Sequence, residues 1–198
     1  MKLIRQAIVA LGMILSVGSS IAADTYQVDP AHTTVGFSIA HLVINTVHGR
    51  FKDLTGTVVI DPDKSNAVVE AKSTIQVKSI DTGVTQRDNH LSSADFFDVE
   101  KFPTIKFASK RVENQAGQQT IVGDFTMHGV TKELALSIKV KGPIKDPMSG
   151  KPRIGIEARG SLNRKDYGLT WNRAIEAGGV MVGEEVQIEI NAEAVKAQ

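Results

Sequence analysis

A two-residue rhythm constrains this chain more than anything else in it. From Thr33 to Ala192, one stretch after another alternates apolar and polar residues, the pattern of β-strands with one buried face. Val35, Phe37, Ile39 and His41 share one side of the first long run, with Thr34, Gly36, Ser38 and Ala40 opposite. Gly49 and Gly56 punctuate the next hairpin, around Phe51 and then Val58 and Ile60. Asp61-Pro62-Asp63 and Ser65-Asn66 have turn composition. Val69, Ala71, Ser73, Ile75 and Val77 line up after it. Later runs are Ile121, Gly123, Phe125, Met127; then Leu134, Leu136, Ile138, Val140, Ile144; then Ile154, Ile156, Ala158, Gly160, Leu162; and last Val186, Ile188, Ile190, Ala192. With about eight strands, short turns and no repeat or linker, the chain reads as one mainly β domain, an antiparallel barrel or sandwich. Closing a barrel removes the exposed edges that such long strands would otherwise present.

Alternation does not say which face is inside, since an outer-membrane barrel shows the same rhythm with its apolar side toward lipid. Aromatics make up only 5% of the chain, with one Trp and two Tyr, too few for two interfacial girdles. The sequence ends in Glu193-Ala-Val-Lys-Ala-Gln198, without an aromatic terminal strand. The apolar face is therefore expected inward. Several inward positions are small (Ala71, Ser73, Gly123, Ala158, Gly160, Ala192), which favours an aliphatic cavity over a plugged barrel.

The first residues read as a secretory leader: Lys2 and Arg5, an apolar run from Ala7 to Gly18 too short to span a bilayer, then Ser20-Ile21-Ala22 for a signal peptidase. Cleavage after Ala22 is expected, which puts residues 23–198 in the periplasm with no integral membrane span. Lys+Arg number 23 against 22 Asp+Glu. Without Lys2 and Arg5 the mature chain is near neutral, giving no reason to expect a nucleic-acid partner. There are no cysteines, hence no disulfide, thiol nucleophile or thiolate metal site, and no acyl anchor of the lipoprotein kind.

The segment Thr85–Phe107 breaks the rhythm. It sets Arg87, Asp88, His90 and Asp95 beside Leu91, Phe96 and Phe97, and reads as two short helices. Asp81 or Thr82 would cap the first; Ser92 and Asp95 have capping-box spacing for the second, and Pro103 ends it. The five histidines (His32, His41, His48, His90, His128) show no metal-ligand spacing, so no metal is expected. His90 near Asp88 resembles part of a triad, but no serine stands in a nucleophile elbow, and no catalytic residue is assigned. Arg87 could neutralise an anionic head group.

Several segments in order resemble the YceI-like family of periplasmic, lipocalin-like proteins. They are Tyr26-Gln-Val-Asp-Pro-Ala-His32, Val47-His-Gly-Arg-Phe51, Arg87-Asp-Asn-His-Leu91, Ser93-Ala-Asp-Phe-Phe-Asp-Val99, Gly123-Asp-Phe-Thr-Met-His-Gly-Val-Thr-Lys132, Tyr167-Gly-Leu-Thr-Trp-Asn172 and Val182-Gly-Glu-Glu-Val186. The resemblance implies an extended eight-stranded antiparallel barrel that binds an amphiphilic lipid (a polyisoprenoid, a quinone tail or a fatty-acid derivative), with no catalysis and no other cofactor. With parity it assigns Phe37, Ile39, His41, Phe51, Ile75, Phe96, Phe107, Phe125, Leu162 and Trp171 to the lipid-binding wall. Arg87, His90 and Asn172 are assigned to the head-group end. A homodimer is left open. The competing readings are an enzyme acting on a lipid head group through Arg87–His90, and a ligand-free stress or protein-interaction module.

Overall fold

The computed structural model describes residues 23–64, 67–176 and 178–197. The expected leader, residues 1–22, and the Ser65-Asn66 half of the first turn lie outside the described residues.

The chain enters a strand earlier than its alternation suggests. β1 (Asp24–His41) starts with Tyr26 and Val28 already facing inward. It is bent by a register shift between Asp29 and Thr33, and Pro30, which has no N–H to give a ladder, sits inside that irregularity. β2 (Asn45–Phe51) pairs with the second half of β1 and β3 (Leu54–Asp61) with the first. The break between them is stitched by Ser79 Oγ, which accepts from Lys52 and Asp53 N–H at 3.1 and 3.0 Å. β4 (Ala67–Gln76) returns along β3, and the short β5 (Ile80–Asp81) continues it beside β2. β6 (Thr104–Gln115), β7 (Gln118–Met127), β8 (Val130–Lys145), β9 (Pro152–Asn163) and β10 (Val182–Lys196) follow as an antiparallel meander. β10 pairs with β1, so β1, β3, β4, β6, β7, β8, β9 and β10 close into a barrel of eight strands.

Two stretches depart from simple parity. A bulge opposite Val59 and Ile60 turns Val68 inward and leaves Val69 exposed. A register shift between Lys141 and Ile144 puts Ile144 outside, not in line with Val140.

The central segment holds one helix, not two. α1 (Thr85–Ser92) has Val84 at its N-cap and no side-chain cap. The expected cap works in reverse: Asp88 of the helix reaches back to accept from Thr82 N–H (2.9 Å) and Oγ1–H (2.5 Å). The proposed capping box at Ser92 does not form. Residues 93–102 are successive turns, held by Phe96 N–H to Ser93 O (3.0 Å), Phe97 N–H to Leu91 O (3.0 Å) and Asp98 N–H to Ser93 O (2.9 Å). With two adjacent bulky rings, both pointing into the barrel, a regular helix would carry one of them outward; turns let both point in.

No helix among the described residues is long and apolar enough to cross a membrane.

Candidate functional site

The two ends of the barrel are finished differently. At one, the termini of β1 and β10 meet the β3–β4, β6–β7 and β8–β9 turns. Here Tyr26, Ile60, Val68, Ile154 and Ala194, all at most 2% exposed, are buried together, and none of them lines the cavity. At the other end lie the β1–β2 hairpin tip, α1 with the 93–102 turns, and the loop 164–181. Between that end and the packed floor runs a cavity of about 330 Å³, within the ~300–1,000 Å³ range of ligand pockets.

Its wall is almost wholly apolar, and parity places most of it. Phe37, Ile39, Phe51, Ile75, Phe107, Phe125 and Leu162 line it as expected, and His41, Phe96 and Trp171 join them nearer the mouth. The inward glycines do not add free volume themselves. A Cβ on Gly49 would lie 2.3 Å from Phe37 Cζ, and one on Gly123 2.8 Å from Phe107 Cζ. The rings occupy the space that a side chain at these positions would need, so a glycine is required beside each. Ala71, Ser73, Ala158 and Ala192 do line the cavity. Tyr167 packs edge-on to Phe125 at 5.5 Å, and burial pushes its hydroxyl pKa up.

The mouth carries two aromatic groups. Phe37, Phe51 and Phe97 follow one another at centroid separations of 5.7 and 5.9 Å. His90, Phe96 and Trp171 form a triangle, each pair 5.1 Å apart. Arg87 and His90 both line the cavity. Arg87 donates Nε–H to Thr82 Oγ1 (2.7 Å) and an Nη2 hydrogen to Thr82 O (2.8 Å), and pairs with no carboxylate among the described residues. His90 takes Asp95, not the neighbouring Asp88, as its acidic partner (2.9 Å).

Asn172, expected at the head-group end, is not among the residues that line the cavity. Its Nδ2–H donates to Val182 O (2.7 Å) and its Oδ1 accepts from Val182 N–H (3.0 Å) and Arg173 N–H (2.9 Å), so the amide clips the loop to β10.

A charged residue of the wall escaped sequence reasoning. Arg164, 3% exposed, lines the cavity. It donates to the carbonyls of Gly183 (2.7 Å), Leu169 (2.5 Å) and Val182 (3.4 Å) and makes no ion pair with a carboxylate among the described residues. Burial holds its pKa below the usual arginine value. It continues the inward parity of Ala158, Gly160 and Leu162, so the signal was available.

At the packed end, Asp29, His32 and Glu193 bring three potential ligand atoms within 4.8 Å, the one such grouping among the described residues. Arg153 already donates to both carboxylates, to Asp29 at 2.8 Å and Glu193 at 2.7 Å, so a metal cation there would have to displace a guanidinium.

With this geometry in hand, the comparisons are consistent. Residues 26–194 match the YceI-like domain. UPF0312 proteins of Staphylococcus aureus strains MSSA476 and MW2 are each 37% identical over 169 residues, covering 85% of this chain and 95% of theirs. The Campylobacter jejuni YceI protein superposes with a TM-score of 0.69 at 32% identity, over 86% of this chain and 96% of that one. Burkholderia cenocepacia BcnA gives 0.72 at 21% identity, over 84% and 99%. A polyisoprenoid binding domain from Saccharophagus degradans gives 0.62 at 16%, over 87% and 98%, a likeness of fold. A family match over nearly the whole barrel, together with relatives of this identity and coverage, leads to one statement: the chain belongs to the YceI-like family.

Proposed function

We propose that this protein binds an amphiphilic lipid, its hydrocarbon tail in the cavity and its head near Arg87 and His90, and serves as a periplasmic carrier or sequestering protein. The observation that carries the reading is the apolar lumen itself, closed at one end by packed side chains and bordered at the other by polar ones. Each buried methylene contributes about 0.8 kcal/mol. Ten would give roughly 8 kcal/mol gross, near micromolar affinity before ordering costs. The Saccharophagus degradans neighbour is described as polyisoprenoid binding, which supports a prenyl chain as the first candidate.

Native mass spectrometry and organic extraction of the purified protein test this, with one lipid per chain expected. Repeated preparations without lipid, together with no saturable uptake of prenyl or acyl probes, would sink it. The His90–Asp95 hydrogen bond favours a second reading, acid–base chemistry on the lipid head. Turnover of a labelled prenyl phosphate, lost in His90→Ala, would select that reading; release of the ligand intact would reject it.

A further inference from the structure

Among the described residues, four of the large apolar side chains that stand exposed are at the open end: Val43, Ile44, Val84 and Val180. Val43 is 74% exposed and Ile44 86%, both at the tip of the β1–β2 hairpin. The backbone there is unfavourable to them. Leu42 has φ 53° and Val43 φ 63°, the left-handed pair that a type I′ turn uses and that Asn-Gly fills at least cost. A β-branched residue in that region is an outlier. The strained tip is held by the unbroken β1–β2 register from Val35–Phe51 to His41–Asn45 and by Leu42 N–H donating to Met181 O at 2.8 Å. Val43 and Ile44 bury little surface within the barrel, so neither turn chemistry nor packing accounts for them.

Their position does. His41 and Val47, on the two strands that carry the tip, line the cavity, and so does Met181, which anchors Leu42. The tip therefore stands at the mouth. No Asp or Glu occurs between Asp29 and Asp53.

We infer that Leu42-Val43-Ile44 docks the open end onto a lipid bilayer, seating the mouth at the head-group layer so that a ligand enters without crossing water. The inference takes its purpose from the lipid-binding reading. The docking itself is separable from it. A convex tip of two side chains offers roughly a few hundred Å² at most, against ~800 Å² per partner in a standard interface. That is too little for a stable dimer and suits reversible insertion into a yielding surface. Each side chain taken into lipid strengthens binding by roughly tenfold or more.

The test floats purified protein with vesicles of phosphatidylethanolamine and phosphatidylglycerol, with and without brominated acyl chains. The single tryptophan, Trp171, lines the mouth and reports the orientation. Wild type should float and show Trp171 quenching. The double variant Val43→Gly, Ile44→Ser should lose at least about tenfold in vesicle binding while its Tm holds or rises, because glycine accepts the positive φ. Vesicle binding equal to wild type, binding without Trp171 quenching, or no binding by wild type would each overturn the inference. So would a dimer abolished by the double variant in sedimentation velocity without vesicle binding, which would give the tip to a second copy. Uptake of a detergent-solubilised prenol reads the cavity alone. If uptake fails while vesicle binding persists, the lipid-cavity reading falls and the docking stands.

Discussion

The packed end and the open end are made by the same strands, with bulges that switch the inward parity of β1 and β4 between them, and their inward residues do opposite things. At the packed end, Tyr26, Ile60, Val68 and Ile154 come from β1, β3, β4 and β9 and fill one another's space. At the open end the inward residues are larger but lean on backbone: Phe37 over Gly49, Phe107 over Gly123. Packing thus changes along the barrel axis. One end buries side chain against side chain, and the other lays rings along the wall and leaves a lumen between them.

The largest effect that would break this contrast belongs to the floor. Ile154→Ala should cost about 2–5 kcal/mol, the usual range for truncating a buried aliphatic residue that its neighbours cannot cover. Phe37→Ala, a larger truncation, should cost less than Ile154→Ala, because the ring faces the lumen, but should lose lipid uptake. Urea denaturation beside a prenyl-binding assay reads both. If the two variants lose equal stability, the lumen is packed and the contrast is wrong.

The next effect concerns the loop that frames the mouth. Arg164→Met keeps most of the side chain's volume and strips the hydrogen bonds to the carbonyls of Gly183, Leu169 and Val182. Leaving buried acceptors unpaired costs about 1–3 kcal/mol. Amide exchange should quicken in residues 164–183 and stay slow in the floor strands. Uniform quickening would mean that the two ends unfold as one unit.

How far the sequence foretold this contrast depends on how local the cause is. Wall residues such as Phe37, Phe51, Phe107 and Leu162 were legible because a period of two fixes their side once the barrel closes. Arg164 lay on the same parity and was missed because a charged residue reads as surface unless its acceptors are known. The acceptors here are backbone carbonyls, one five residues on and two at the start of β10. Val69 and Ile144 were misplaced because a bulge shifts parity by one residue and leaves no mark in composition. Asn172 was expected at the head-group end, and its amide also holds the backbone of β10 at Val182, a pairing that only coordinates reveal. The second helix failed because spacing suited to a capping box says nothing about where Phe96 and Phe97 must point.

A smaller substitution sharpens the picture of the wall. Gly49→Ala would put a methyl 2.3 Å from Phe37 Cζ and 2.9 Å from Thr82 Cγ2, so both side chains must shift, and Phe37, which lines the lumen, moves into it. Because Gly49 is not at positive φ, the backbone tolerates alanine, and the expected cost in stability is only about 1 kcal/mol. The displaced ring narrows the cavity, so prenyl affinity should fall roughly tenfold, the equivalent of one or two lost methylene contacts. Unchanged affinity would show that the tail does not reach Phe37.

The smallest expected effect lies in acid, and it distinguishes the ends by charge instead of packing. Asp29 hydrogen-bonds His32 and Arg153, and these hold its carboxyl at about 2, below the ordinary ~3.9. Asp146 is also lowered, chiefly by the Met148 and Ser149 N–H groups, and pairs with Arg153 at 3.0 Å. A group whose folded pKa lies below its unfolded one stabilises the fold fully above the unfolded value and loses that contribution as pH falls through the folded one. The contribution of Asp29 should therefore be intact above about pH 4 and fade toward pH 2. Arg153 joins β9 to Asp29 of β1 and Glu193 of β10, so the loosening should appear first where those strands meet at the packed end. Amide exchange followed from pH 5 to pH 2 reads the location. Asp29→Asn should lower stability at neutral pH and flatten the acid slope, since the group that takes up the proton is gone. An unchanged slope in that variant would move the acid sensitivity elsewhere and leave the packed end held by its apolar layer alone.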